Sequence, residues 1–475
     1  MRRGFLWPSA DLYGGFSGFY DYGHNGAALK RKWEQSWLEY FLRLGENFHL
    51  VDASNLMPEA ALKASGHVDL FSDVLVECAR CHEVHRADQL LEEKLGRPFE
   101  GLSPEELGAQ LREQKVPCPK CGGTLGEPRA FNMMFPVRLG TSAKDLAYLR
   151  PETAQGAFLN FKREFEALRR RLPLGLAIVG RAYRNEISPR QGTYRMREFQ
   201  QAELQIFFDP ATIDQGEVDA TPVQVAFAGE RGGKTVHQVP ATDLVARGLP
   251  RLYVRHMVAV QRFYLETLRV PAERFRFAEL GEKERAFYNR VHFDIELDQE
   301  SLGGFKEVGG VHYRGDHDLS GHANASKETL TVTLEGRRFL PHVLELSFGV
   351  DRNVWALIDL GYGQREERTV LRLPPRLAPV TVGVFPLVKK DGLAEIAREV
   401  YADLRRRHDA YYDESDALGR RYARLDEIGT PLCITVDYQT KEDKSVTLRR
   451  RDTGEQKRAP IAELPAAISE ALDSW

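Results

Sequence analysis

Two segments of the chain set polar side chains on one face of a strand whose other face is apolar. In Val343-Leu344-Glu345-Leu346-Ser347-Phe348-Gly349, the residues Leu344, Leu346 and Phe348 share one face, while Glu345 and Ser347 share the other. A second strand ending Glu203-Leu204-Gln205-Ile206-Phe207-Phe208 repeats the pattern: Leu204, Ile206 and Phe208 face one way, Glu203 and Gln205 the other. Such strands can floor an active site while their backs join the core. Ahead of the second lies Gly180-Arg-Ala-Tyr-Arg184-Asn185-Glu186, then a polar loop, then Tyr194-Arg195-Met-Arg-Glu-Phe199-Gln-Gln201. Arg181, Arg184, Arg190, Arg195 and Arg197 surround that loop, and guanidinium forks bind phosphate oxygens bidentately, so a polyphosphate suits it. The first strand runs through Gly349-Val350-Asp351-Arg352-Asn353 into an amphipathic helix reaching Ile358, which puts Arg352 beside a carboxylate and a hydroxyl. The plainer alternative is that these Arg and Glu side chains only brace a sheet.

Four of the five cysteines form the pairs Cys78-Ala-Arg-Cys81 and Cys118-Pro-Lys-Cys121. Two such turns can offer four thiolates to one tetrahedral ion, the pattern of a zinc ribbon. The spacing between pairs is long and holds a helix-like stretch, Pro104 to Lys115, so two reduced surface pairs are the competing reading. Cys433 lies in an apolar strand-like run and reads as core. His312, His317 and His322, with Asp316 and Asp318, read as a polar loop rather than a metal site.

The elements that must position these groups follow from periodicity and composition. The 475 residues are 42% hydrophobic and 28% charged with a net charge of −3, which allows two or three domains and advertises no global nucleic-acid surface. Arginine outnumbers lysine, as in thermophiles or GC-rich genomes. A long helix is expected from His24 to Leu44, with Leu29, Trp33, Trp37 and Phe41 along one face, either as core or as a subunit interface. Residues 72–130 read as an insertion carrying the cysteines, and residues 221–251, with a turn at Arg231-Gly232-Gly233, match no interpretable pattern. Arg372 to Pro379 reads as a linker. Beyond it come strands at Val380–Leu387, Leu432–Val436 and Val446–Leu448 and helices at Leu393–Arg407 and Leu464–Leu472, an α/β module. Its clusters at Arg405–Arg407, Arg420–Arg421 and Arg449–Arg451 could follow a phosphate backbone or be solvated faces. No run of 18 apolar residues suggests a membrane span and no secretory signal is visible, so a cytoplasmic protein is expected.

Taken in order, these motifs resemble the class II aminoacyl-tRNA synthetases. Arg184-Asn185-Glu186 with Tyr194–Phe199 is similar to their motif 2, Gly349-Val-Asp-Arg352 to motif 3, and the helix after Phe19-Tyr-Asp-Tyr22-Gly23 to motif 1. Lys63–Val68, Arg150–Gly156, Glu345–Gly349 and Gly419–Gly429 resemble the single-chain, homodimeric glycyl-tRNA synthetases in particular. The resemblance implies an α+β catalytic domain on an antiparallel sheet flanked by helices (1–71 and 131–370), the 72–130 insertion, and an anticodon-binding α/β domain (375–475). It implies glycine activation by ATP and transfer to tRNA(Gly), Mg²⁺ with the ATP, and a homodimer formed through the helix after Tyr22. The zinc reading of Cys78, Cys81, Cys118 and Cys121 joins this set. By motif position, Arg184, Glu186 and Arg352 would be catalytic. Asn185, Tyr194, Arg195, Phe199, Glu307, Val308, Glu345 and Gly349 would join them around ATP, with Glu307 and Glu345 at its Mg²⁺ end. Arg86, Glu152, Phe199, Gln201, Glu203, Glu345 and Ser347 would hold glycine. The rivals are a non-catalytic synthetase-like accessory subunit and a class II synthetase for threonine, proline or histidine.

Overall fold

The computed structural model describes residues 2–473 except 97, 98, 100, 142–144, 190, 191, 231, 232, 283, 287, 366 and 367. Arg190 and two residues of the Arg231-Gly232-Gly233 turn therefore lie outside the described residues. The centre is a nine-stranded sheet. Its strands are β1 (Phe48–Leu50), β2 (Leu174–Tyr183), β3 (Glu198–Phe208), β4 (Pro222–Ala226), β5 (His237–Pro240), β6 (Phe275–Glu279), β7 (Val291–Gln299), β8 (Gly304–Gly315) and β9 (His342–Gly349). They lie in the order β5-β4-β6-β7-β8-β9-β3-β2-β1. The pairs from β6 to β2 are antiparallel, as expected, but β4–β6 and β2–β1 are parallel. The uninterpreted 221–251 segment supplies the edge strands β4 and β5, which extend the sheet without any strong signal of their own.

Alternation gives each central strand two distinct faces. On one, Leu204, Ile206, Leu344, Leu346 and Phe348 are buried with the aromatic stripe of helix α1 (His24–Phe41). Trp33, Trp37 and Phe41 are fully buried, and all three rings pack on Phe348. Between core and interface, the stripe is core. The expected helix ends at Phe41, and Leu42–Leu44 continue as a 3-10 turn. On the other face, helix α2 (Ala154–Ala167) covers one end through Phe158 and Phe161 on Phe207, leaving the rest of the face for a cleft.

The insertion forms its own small sheet from Ser72–Glu77, Val84–Arg86 and Arg129–Asn132, closed over Val76, Leu90, Leu91, Leu107 and Leu111. Its expected helix runs Pro104–Glu113, with Ser103 and Glu106 forming a capping box. The stretch read as a linker is packed instead: Leu373 and Leu377 are buried in the catalytic core, because both are apolar and reach the sheet's helical layer. The last module is a five-stranded mixed sheet in which Val382–Pro386, Leu432–Val436 and Ser445–Arg450 are central. Helices Leu393–Leu404 and Leu464–Asp473 bury its core. Helix Leu418–Asp426 and the short strands Ala410–Tyr412 and Gln456–Pro460 belong to it as well.

Candidate active site

The cleft over β3, β8 and β9 has about 900 Å³ of free space, including its solvent mouth. Register decides what meets there. Across β3 and β9, Glu203 stands opposite Ser347 and Gln205 opposite Glu345; across β8 and β9, His312 stands opposite Glu345. Because side chains alternate, Gln201, Glu203, Gln205, Glu345 and Ser347 point to one side. Gly309 and Gly310 line the floor, and side chains there would collide: a Cβ on Gly309 would lie 2.3 Å from the Ser347 carbonyl, and one on Gly310 2.5 Å from His312 Nε2.

The closed end gathers Glu152, Glu203 and Glu345, each almost fully buried. Glu203 accepts from Ser347 Oγ at 2.8 Å, Gln201 Nε2 at 2.9 Å and Thr153 Oγ1 at 2.6 Å. Glu152 accepts from Gln155 Nε2 at 2.9 Å and lies 3.5 Å from His67 Nε2. Glu345 accepts from Gln205 Nε2 and from Arg314, both at 2.9 Å. Arg314 is the buried cation of this group and is committed elsewhere too, with two bonds to Asp318 and a 3.5 Å approach to Glu152. Arg314 thus meets three carboxylates, Asp318, Glu345 and Glu152, while Glu203 feels the charge of buried Arg150. Burial, then Glu152, pushes the Glu203 carboxyl up; burial raises Glu345 to about 8 against the pull of Arg314. Burial works against Glu152 too, but His67 and Arg314 hold its carboxyl well below the usual range. The site therefore carries surplus negative charge shaped to receive a small cation.

The open end is arginine-rich. Arg184 stacks between Phe199 and Phe71, with its Cζ 5.2 and 5.3 Å from the ring centroids, and its Nε donates to the Pro151 carbonyl. Arg352 Nη1 lies 2.8 Å from Glu307 Oε1, and its Nε donates to the Tyr194 carbonyl. Glu186 is buried, and its Oε2 has no hydrogen bond; Arg195 Nε comes no nearer than 3.9 Å. A buried acceptor left open beside an aromatic face fits a planar base with an amino group.

Several expected residues stand elsewhere. Arg86, at the insertion's edge, is paired with Asp73 at 2.7 Å and with Asp88, and its charge reaches Glu186 and Arg195 at the open end. Asn185 is outside the cleft lining, its N–H donating to the Met133 carbonyl, and Val308 is buried core. Glu345 lies at the closed end, bound to Arg314, and Glu307 at the open end, paired with Arg352. His312, His317 and His322 are not on a loop: His312 is on β8, and the other two belong to helix α3 (His317–Ser326), because the strand runs to Gly315. Sequence reading missed Arg314, Asp318 and Gln155. For Arg314 a signal existed, since it continues the Gly310-His312 face against the core residues Val311 and Tyr313.

The thiols of Cys78, Cys81, Cys118 and Cys121 lie within 4.8 Å of one another, the one such convergent group among the described residues. Sγ–Sγ separations of 3.5 Å (Cys78–Cys121) and 3.7 Å (Cys81–Cys118) approach the edge of about 3.8 Å that four zinc–sulfur bonds require. Both turns fold alike, with the His82 N–H on the Cys78 carbonyl and the Gly122 N–H on the Cys118 carbonyl. Gly123 is needed here, because its Cβ would lie 3.1 and 3.2 Å from two of the sulfurs.

Comparison with known proteins agrees with this architecture. Residues 138–360 match the tRNA synthetase class II core domain (G, H, P, S and T), and residues 381–471 match an anticodon binding domain. The chain is 38% identical to the glycine–tRNA ligase of Thermococcus gammatolerans, over 99% of this chain and 97% of that one. It is 37% identical to that of Pyrococcus furiosus over the same shares, and 38% identical to that of Aeropyrum pernix over 96% and 93%. A solved prolyl-tRNA synthetase from Cryptosporidium parvum, complexed with L-proline and AMP, superposes with a TM-score of 0.61 at 14% identity, covering 100% of this chain and 73% of that one.

Proposed function

The chain belongs to the glycine–tRNA ligases, and from that membership we propose that its cleft joins glycine to ATP and passes the product to tRNA(Gly). The observation that carries the assignment of ends is the cluster of Glu152, Glu203, Glu345 and Ser347, with Arg314 as the buried cation bonded to it. Glycine has no side chain to grip, so its ammonium must supply the binding, and this end holds the charge it needs. Its carboxylate then points toward the open end. One carboxylate oxygen attacks the α-phosphorus of ATP in line, the bond to pyrophosphate breaks, and glycyl-adenylate forms. In the second step the terminal adenosine 3′-hydroxyl attacks the carbonyl and AMP leaves. Arg184 and Arg352 neutralise phosphate charge, Phe199 and Arg352 flank the adenine, and the open Glu186 oxygen accepts from its amino group. Mg²⁺ arrives with ATP and supplies charge neutralisation, with Glu307 as the carboxylate at that end.

The four cysteines hold a structural Zn²⁺ that ties the insertion together. The domains are the catalytic one (1–71 and 131–370), the 72–130 insertion, and residues 375–475, which recognise the anticodon arm. Two copies pair through the outer side of α1 and the loop before it, where Leu12, Tyr13 and Phe16 are exposed. No helix among the described residues is long and apolar enough to cross a membrane, and the reducing cytoplasm suits thiolates reserved for a metal. Pyrophosphate exchange with each of the twenty amino acids tests the reading. Exchange with glycine alone is expected, and exchange with none, or with another amino acid instead, overturns it.

A further inference from the structure

Asp351 opens helix α4 (Val350–Gly361) and is only 2% exposed, yet its atoms are shared by four other points of the chain. Oδ1 accepts from Tyr22 Oη at 2.7 Å and from Lys30 Nζ at 2.6 Å. Oδ2 accepts from the Gln200 N–H at 2.6 Å, and the Asp351 carbonyl accepts from Thr193 Oγ1 at 3.1 Å. Two of these partners are chain neighbours of groups at the open end: Gln200 follows Phe199, and Thr193 precedes Tyr194. Arg352 follows Asp351 itself. Tyr22 and Lys30 belong to a different place. They line a second cleft that backs onto the first, with Phe199, Gln200 and Asp351 forming the wall between them. Lys30 also stands over the Tyr22 ring at 4.6 Å. A carboxylate in the first turn of a helix gains from the helix dipole, but one this buried also needs a cation, and Lys30 is the one bonded to it.

We propose that Asp351, paired with Lys30, is the positioning residue of the nucleotide end. It fixes Arg352, Phe199 and Tyr194 relative to one another from behind the cleft wall. The inference rests on the ATP reading above. Lys30 does not line the nucleotide cleft, so any effect of Lys30 on ATP must pass through Asp351. The closed end, built on Glu203 and Arg314, has no bond to Asp351 and should not follow it.

The test uses the full chain. Calorimetry gives the affinity for Mg²⁺–ATP, and pyrophosphate exchange gives KM for glycine. Lys30→Gln should weaken ATP binding about fivefold while the glycine KM stays within about twofold, and Lys30→Arg should restore most of the loss. Asp351→Asn should weaken ATP binding about tenfold or more, since the amide keeps one acceptor oxygen and so loses the bond from either Gln200 or Lys30, along with the charge that pairs Lys30. The double variant should be no worse than Asp351→Asn alone. Unchanged ATP affinity in Lys30→Gln, parallel losses for ATP and glycine, or additive losses in the double variant would overturn the proposal. Should Asp351→Asn not fold, the Lys30 pair decides, since that side chain sits at the protein margin, 15% exposed. A wild-type chain that binds ATP without glycine-dependent exchange would overturn the functional reading and leave the role of Asp351 legible in the ATP affinities. A wild-type chain that binds no ATP would overturn both.

Discussion

At the closed end of the cleft each carboxylate already has its partners: Glu203 accepts three hydrogen bonds, Glu345 two, and Glu152 one beside His67. At the open end Glu186 keeps a buried oxygen without a hydrogen bond, and Arg352 and Glu307 hold each other near the surface. The difference follows from what each end must bind. A substrate with few atoms offers little contact area, so the protein must arrange its charges beforehand. A nucleotide brings phosphates and a base of its own, and can displace ion pairs as it enters.

The largest expected effect would break the open end. Arg184→Ala should cost about 4 kcal/mol in the transition state for adenylate formation, roughly a thousandfold in kcat/KM, and Arg184→Lys should recover little of it. Pyrophosphate-exchange kinetics measure both. Near-normal activity in a folded Arg184→Ala chain would make the arginine a brace for Phe71 and Phe199 only.

Next comes the closed end. Glu203→Gln should raise KM for glycine by about 2 kcal/mol, some thirtyfold, and leave KM for ATP nearly unchanged. Equal rises in both would dissolve the distinction between the ends.

A smaller effect sharpens it through pH. Glu345 is raised to about 8 by burial, and Glu203 is raised too, so the empty cluster holds a proton in the folded chain that the unfolded chain would release at lower pH. That contribution to stability is fully present below the unfolded carboxylate range and is lost as pH rises through about 8. An arriving ammonium favours the ionised form. Glycine binding should therefore release protons between about pH 6 and 8, and KM for glycine should fall across that window, flattening in Glu345→Gln. Calorimetry in buffers of different ionisation enthalpy counts those protons, and a count of zero would contradict the charge surplus.

The smallest effect on activation is expected from the other end of the chain. A chain ending at Pro379 keeps Leu373 and Leu377 in the core and should form adenylate within about threefold of the full chain while charging no tRNA. Collapse of activation in a folded truncated chain would place the C-terminal module in the first step.

Alternation made both faces of β3 and β9 readable from sequence, because a period of two needs only local residues. Which of their residues meet was not readable. Gln205 and Glu345 are 140 positions apart, and only the register of β3 on β9 brings them together. For the same reason the motifs assign Glu345 both to the Mg²⁺ end and to glycine, and it is the register that sets it beside Gln205 and Arg314. Motif order carries a residue to its strand but not to one end of a cleft. Arg314 had a local signal, the alternation of Gly310, His312 and Arg314 against Val311 and Tyr313, but the partners that make it the cation of the cluster, Glu345 and Asp318, come only from register and the following helix. The edge strands β4 and β5 were missed because they are short, although Val223 and Val225 of β4 are fully buried in the main core. Helix α1, by contrast, was legible in extent, and its stripe became core only once Phe263 and Phe348 were placed against it.

A structure with a non-hydrolysable glycyl-adenylate analogue tests the central claim most directly. Its glycyl amino group is expected within about 3.2 Å of Glu152, Glu203 or Ser347, with the adenine on Phe199 and the adenine amino group at Glu186. An amino group beyond hydrogen-bonding distance of all three closed-end residues would contradict it.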